Sequence, residues 1–240
     1  AFDVDSKVQI WEEYISQLFE DNRPTKPSLI VGDTGPSILK EEVRKAIFQA
    51  KTGKATGPDQ VHIELLKLLD DNGINALTKL FNGIYESGKI PSDWLESTFI
   101  TLPKKPNARK CEDHRTISLM SNVLKIFLKI IHARIYQKCE LNLAETQFGF
   151  RNGLGTRDAL FAMQILMQRS LDMNVNVYAC FINFEKAFDK VQHVKLLEIL
   201  QKIGLDSRDI NLIANLYWNQ TAKIKVGDTL SKSVVIRRGV

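Results

Sequence analysis

The stretch Ala179-Cys-Phe-Ile-Asn-Phe-Glu-Lys-Ala-Phe-Asp-Lys-Val-Gln-His193 decides how this chain is read. The run leading into it, residues 175–182, is nearly all apolar and rich in β-branched and aromatic side chains, the pattern of a strand buried on both faces. Polar residues then arrive together at Asn183, Glu185, Lys186 and Asp189. Leucine and isoleucine recur at helical spacing from about 194 to 203, where Gly204 stops them. The segment predicts a buried strand that ends in a polar turn and passes into a helix. Strand ends hold side chains rigidly where a ligand can reach them. From the residues alone, a plain strand-to-helix turn with Asp189 as helix cap is the competing reading.

Working outward, apolar positions at helical spacing predict helices over 7–20, after Ser37, through Val61 to Leu69 with Asp59 as cap, over 75–87 up to Gly88, over 118–138, from Thr156 through Leu166, and from Asp206 or Ser207 to Trp218. Residues 98–102 read as a strand ending at Pro103, and the runs 222–226 and 233–236 around Gly227-Asp228 read as a hairpin. The Pro- and Gly-containing segment 22–36 reads as a linker. The 118–138 helix is apolar nearly all round, as a core helix is, apart from a stripe of Lys125, Lys129, His132 and Tyr136 that reads as a solvated face. Strands and helices mix without βαβ regularity, which predicts an α+β fold.

Of the 240 residues, 44% are hydrophobic and 25% charged, enough apolar material for one or two ordinary cores. A net charge of +5 permits a polyanionic partner without requiring one. Cys111, Cys139 and Cys180 form no close pair and no zinc-ligand spacing, so they read as buried or half-buried thiols of a protein in a reducing compartment. No apolar run approaches the roughly 20 residues of a membrane span, and no signal peptide opens the chain, which points to the cytoplasm or nucleus. Ala1 stands where a methionine would start a protein and Val240 falls inside what reads as an element, so the sequence reads as cut at both ends.

The opening stretch resembles motif A of reverse transcriptases, in the form F-I-D-Y/F-x-K-A-F-D-x-V carried by non-LTR retrotransposons. Four further segments agree in order. Lys54-Ala-Thr-Gly-Pro-Asp-Gln-Val-His-Ile-Glu64 resembles the K-A-x-G-P-D element ahead of the core. Phe99-Ile-Thr-Leu-Pro-Lys104, with His114-Arg-Thr-Ile-Ser-Leu119, resembles the first fingers motif. Gln147-Phe-Gly-Phe-Arg151 with Gly155-Thr-Arg-Asp-Ala159 resembles the second, and Arg237-Arg-Gly-Val240 the opening of the next. The wording is most similar to RTE-type elements. The resemblance implies the fingers and a partial, truncated palm of a right-hand polymerase over residues 51–240, preceded by a helical extension and linker over 1–50.

It also implies chemistry. Reverse transcription is a two-metal phosphoryl transfer, in which carboxylates hold Mg²⁺ against the attacking oxygen and the leaving pyrophosphate. The family's motif A aspartate falls on Asn183, and its later Asp-Asp hairpin has no counterpart after motif A in these 240 residues. An amide lacks the charge that a hard cation prefers, so the expectation is a metal site (Asn183, Phe184) that is incomplete and a chain without polymerase activity. Lys104 and Arg115 match the residues that grip the nucleotide triphosphate. Phe184 and Ala187 match positions whose backbone meets metal and triphosphate, and Phe188 matches the bulky residue that excludes a 2′-hydroxyl. Gln147, Gly149 and Arg151 match residues beside the template. The implied partners are an RNA template, a DNA primer and dNTP, with no membrane. The alternative is a non-enzymatic RNA- or DNA-binding or interaction protein derived from such an element.

Overall fold

The computed structural model describes residues 3–27 and 35–240. Part of the expected linker, 28–34, lies outside the described residues. Helix α1 (Val4–Phe19) opens on Asp3, whose carboxylate accepts the Ser6 amide at 2.6 Å. Helix α2 (Lys40–Phe48) is held at its start by Glu42, which accepts the Leu39 amide at 2.8 Å. A short helical turn α3 (Ile63–Lys67) leads to α4 (Asp71–Ser87), capped by the Asp70 carboxylate on Gly73 and closed by Gly88 in the left-handed region at φ 67°. After the turn α5 (Ser92–Leu95) comes strand β1 (Glu96–Pro103), then β2 (His114–Leu119) and the long helix α6 (Asn122–Glu140). Helix α7 (Thr156–Asp172), α8 (His193–Lys202), α9 (Ser207–Trp218) and strands β3 (Thr221–Val226), β4 (Thr229–Leu230) and β5 (Val234–Val235) complete the order.

The strands form one mixed sheet in the order β2-β1-β3-β4, with β5 pairing the start of β3. β1 runs antiparallel to β2, from Thr98 opposite Leu119 to Pro103 opposite His114, and parallel to β3, from Glu96 opposite Thr221 to Ile100 opposite Lys225. Along β3, buried Ala222 and Ile224 alternate with Thr221 and Lys223, so one sheet face is dry. Helix α1 covers that face with Ile15 and Phe19 against Phe99, Ala222, Ile224, Val234 and Ile236. A second core joins α2, α3, α4 and α6 around Phe81 and Phe127, both fully buried, with Leu212 and Leu216 of α9. A third lies between α8 and α9. Each fully buried Ile, Leu or Phe contributes about 1.5–3 kcal/mol, so residues ahead of 50 wall two of the three cores. Helices beside a mixed sheet make the fold α+β.

The structure corrects several expectations. Residues 175–182 form no strand: no described strand runs beside them, so the run makes no ladder and its side chains remain exposed. Cys180 is exposed with them, while Cys111 and Cys139 are half-buried. The 118–138 helix starts later, at Asn122, because residues 114–119 pair with β1 and buried Ser121 caps the helix through the Val123 and Leu124 amides. Asp59 caps no helix. It accepts the Val61 amide at 3.3 Å in a local turn, and α3 starts after His62. Thr156 is the first residue of α7, not its cap, since Asp158 takes the amide of Gly155 at 2.7 Å. The apolar positions of α7 are all exposed or half-buried.

Gly57 shows why the Lys54–Asp59 loop needs a glycine. A Cβ there would lie 2.4 Å from the Met120 carbonyl carbon and from the Ser121 nitrogen. The loop therefore packs backbone against backbone at the junction of β2 and α6. Asn122 ties the same junction by donating to the Val61 carbonyl at 2.8 Å.

Candidate functional site

The turn that follows Asn183 is where the separated sequence segments meet. Residues 185–190 form the expected polar turn, and α8 begins after Gln192, close to the expected start near Val194. Asp189 therefore sits ahead of the cap position, which corrects its expected capping role. Its carboxyl is pushed up by burial, against the pull of the Lys186 and Lys104 charges nearby. The Lys104 charge that acts on this carboxyl stands just past the end of β1. The turn also receives the final residues of the chain, whose Gly239 and Val240 amides donate to the Val191 carbonyl at 2.8 Å and the Phe188 carbonyl at 3.1 Å. From a third direction Phe150 meets Phe188 edge-on, with ring centres 5.7 Å apart.

Two residues at this junction, Lys186 (φ 51°) and Phe150 (φ 61°), hold a left-handed backbone without being glycine. Such positions cost about 1–3 kcal/mol each and gather where surrounding structure over-determines them. Lys186 has that support. Its ammonium lies 4.6 Å from the centre of the Tyr14 ring and donates a hydrogen bond to the Tyr14 hydroxyl. Nearby, Trp11 packs edge-on to His114 of β2 with ring centres 5.3 Å apart. Helix α1 thus reaches both the turn and the strand that carries Arg115. The match to motif A covers Lys186, but nothing in the sequence around Tyr14 marks it as a partner 172 residues away.

Lys104 ends β1 with its amide donating to the Asp113 carbonyl and its ammonium to the Glu112 carbonyl, both at 2.8 Å. Its neighbour Lys105 pairs with Asp113 at 2.8 Å. Arg115 stands opposite Leu102 in the ladder with an exposed side chain. Neither Lys104 nor Arg115 forms an ion pair among the described residues. Asn183, Phe184, Ala187 and Phe188 are exposed. The 147–151 loop is folded on itself: Arg151 donates to Glu140 and to the Ala144 and Gln147 carbonyls, and Gln147 donates to the Gly149 carbonyl at 3.2 Å. No atom would lie within 4 Å of a Cβ at Gly149, so this glycine is open on the side a strand could approach.

The turn is anchored from behind by His193, which is 1% exposed. Arg23 donates to its Nδ1 at 2.8 Å, which leaves the other nitrogen to carry the proton and donate to the Gly239 carbonyl at 2.7 Å. Arg23 also donates to the carbonyls of Tyr217 and Trp218 and lies 4.5 Å from the centre of the Trp218 ring. Burial pushes the His193 imidazole below its ordinary value, the Gly239 hydrogen bond pulling the other way. Nothing in the local sequence around His193 or Arg23 marks the two as partners. The signal lay in tertiary contacts between residues 170 positions apart.

The donors around motif A do not fit a divalent cation. Asn183 offers a neutral amide, the nearby ammonium groups of Lys186 and Lys104 repel a metal, and burial favours the neutral form of Asp189. Among the described residues no group of three or more His, Cys, Asp or Glu is placed to hold a metal ion. Nor, among them, is any helix long and apolar enough to cross a membrane.

Residues 102–240 match the family described as reverse transcriptase (RNA-dependent DNA polymerase). The chain belongs to the reverse-transcriptase family. It is similar to the RNA-directed DNA polymerase from mobile element jockey of Drosophila melanogaster, 25% identical over 189 residues, which is 78% of this chain and 20% of that protein. It is 26% identical over 204 residues to the Pol polyprotein of the type-1 retrotransposable element R2 of Nasonia vitripennis, covering 85% of this chain and 19% of the relative. To the probable RNA-directed DNA polymerase from transposon X-element of Drosophila melanogaster it is 31% identical over 167 residues, 68% of this chain and 18% of the relative. These relatives place the reverse-transcriptase chain among non-LTR retrotransposon polymerases, and it spans about a fifth of their length.

Proposed function

We propose that this reverse-transcriptase chain supplies the nucleotide-gripping part of an RNA-directed DNA polymerase, with a motif A that holds no catalytic metal by itself. The observation that carries the reading is the convergence on the 185–191 turn. The 147–151 loop through Phe150 and the Gly239-Val240 end touch it, and the charge of Lys104, just past β1, acts on its Asp189. In this reading Lys104 and Arg115 face a triphosphate, whose charge would replace the carboxylate partners they lack. The backbone of Phe184 and Ala187 borders the same space, and Phe188 stands against a sugar 2′ position. Gln147, Gly149 and Arg151 lie on the template side, where Arg151 contributes position more than charge because Glu140 already balances it.

Mg²⁺, when bound in a complete family member, supplies the charge that activates the 3′-oxygen and stabilises the leaving pyrophosphate. Asn183, a neutral amide, does not fit that task. Primer extension tests the reading. With Mg²⁺, dNTPs and a primed RNA, the 240-residue polypeptide is expected to give no product, and none after Asn183→Asp. Extension by either would overturn the inactivity. Triphosphate binding tests the remaining part: dTTP binding, followed by equilibrium dialysis, is expected to fall at least fivefold in Arg115→Ala, and an unchanged affinity would remove Arg115 from the site.

A further inference from the structure

The polar stripe on α6 does not form one solvated face. Lys125 turns toward the 53–62 loop, donating to the Asn122 side chain at 3.3 Å, and burial lowers its affinity for a proton against the pull of the Asp59 charge. Lys129, His132 and Tyr136 instead wall a cleft of about 950 Å³ between α6 and α2. Lys45 and Gln49 of α2 form the opposite wall, over an apolar floor that includes Ala46 and Ile130.

The charges of this cleft do not cancel. Its acids are Glu42, Asp206 and Asp209. Glu42 takes two bonds from Arg134 at 2.8 and 2.6 Å, and Asp206 pairs with Lys138 at 3.1 Å. Asp209 accepts the Tyr85 hydroxyl at 2.9 Å, and burial favours its neutral form. That leaves Lys45 and Lys129 without a carboxylate partner among the described residues. Lys129 is also half-buried beside the charge of Lys67, and burial, with that charge, lowers its affinity for a proton. Between them, His132 and Tyr136 present rings 5.7 Å apart. The cleft runs to Asn152, whose amide donates to the Tyr136 hydroxyl at 2.9 Å, so it is continuous with the loop that carries Gln147, Gly149 and Arg151.

We propose that the α2–α6 cleft seats a single strand of nucleic acid, its phosphates on Lys45 and Lys129 and a base against the His132–Tyr136 pair. A charged groove interleaved with aromatic rings suits a polynucleotide, since phosphates and base faces are both met. An acidic peptide would use the lysines and leave the rings idle. The proposal rests on the polymerase reading, because continuity with the template-side loop supplies the direction of the strand.

The test uses the 240-residue chain and a fluorescently labelled 20-nucleotide single-stranded RNA of mixed sequence. The double variant Lys45→Gln, Lys129→Gln is expected to weaken RNA binding by about tenfold and to make its dependence on salt shallower by about 1.4 in log–log slope, as loss of two phosphate contacts does. His132→Ala is expected to weaken binding without changing that slope. Affinity for dTTP should be unchanged in both variants. Unaltered RNA affinity in the double variant, or no RNA binding at low salt while dTTP still binds, overturns the cleft and leaves the polymerase reading standing. Loss of dTTP binding in the unmodified chain overturns that reading instead, and if RNA binding and its lysine dependence persist, the cleft stands without it. Competition by poly-glutamate as effective as by RNA overturns the choice of nucleic acid.

Discussion

A methyl group added at Gly57 would lie 2.4 Å from backbone atoms of Met120 and Ser121, which belong to the β2–α6 junction and cannot step aside as a side chain could. Gly57→Ala is therefore expected to destabilise the fold by about 2–3 kcal/mol, the range of overpacked positions, in urea unfolding. Gly83, inside α4, meets nothing within 4 Å, so Gly83→Ala should instead stabilise by up to about 1 kcal/mol. His193 carries a pH dependence. Its folded form is held neutral while the unfolded imidazole takes a proton near its ordinary value of about 6.5. The unfolded state then binds more protons, so this contribution is fully present above about pH 6.5 and is lost as pH falls below it toward the lower folded value. Comparing unfolding of the unmodified chain and His193→Gln at pH 7.5, 6 and 5 isolates it. The glutamine can accept from Arg23 and donate to Gly239, and the variant should lose less stability on acidification. Equal losses would show that His193 contributes nothing to it.

At the scale of elements, residues 175–184 lie in no helix or strand and are exposed and without ladder bonds. Chymotrypsin is expected to cut first beside Tyr178 or Phe181, which are 91% and 81% exposed, before it touches α4 or α6. First cuts inside those helices would contradict this. The same segment marks where sequence reading reached its limit. Helix stops were legible at Gly88 for α4 and Gly204 for α8, whereas the Asp70 cap and the first turn of α4 went unread. The 175–182 run was read as buried because apolar composition reports what a segment could bury, whereas a strand exists only beside another strand. Strand β2 was missed for the opposite reason. Residues 114–119 have weak local pattern, and their pairing is set by β1. The candidate site divides in the same way. Lys104, Arg115 and the motif A turn were named from the chain, but Tyr14, Arg23 and the two-sided nature of the α6 stripe depend on contacts across the fold.

For the molecule as a whole, accessible surface is the telling quantity. A closed protein of 27.3 kDa exposes about 11,000 Å², whereas this chain exposes 16064 Å². Much of the excess lies on α7 and on 175–188, where Leu160, Phe161, Leu166, Tyr178, Phe181 and Phe184 are all more than half exposed. The 240-residue polypeptide is therefore expected to bind an apolar fluorescent dye while folded, and to self-associate as its concentration rises. Sedimentation at two concentrations would check this, and a compact, dye-free monomer would contradict the described surface.

The parallel pairing of β1 with β3 has a consequence in time. Roughly a hundred residues separate the two strands, so at ordinary synthesis rates of ~5–20 residues per second β1 leaves the ribosome on the order of ten seconds before its neighbour exists. The helices around Phe81 can close early, because α2, α4 and most of α6 are near in sequence. Phe99 and the inner side of α1 must wait with nothing to close against until Ala222 and Ile224 emerge. A nascent chain halted before Thr221 would carry two finished cores and one open wall, which makes the interval between the two strands the natural stage for a chaperone to hold the polypeptide.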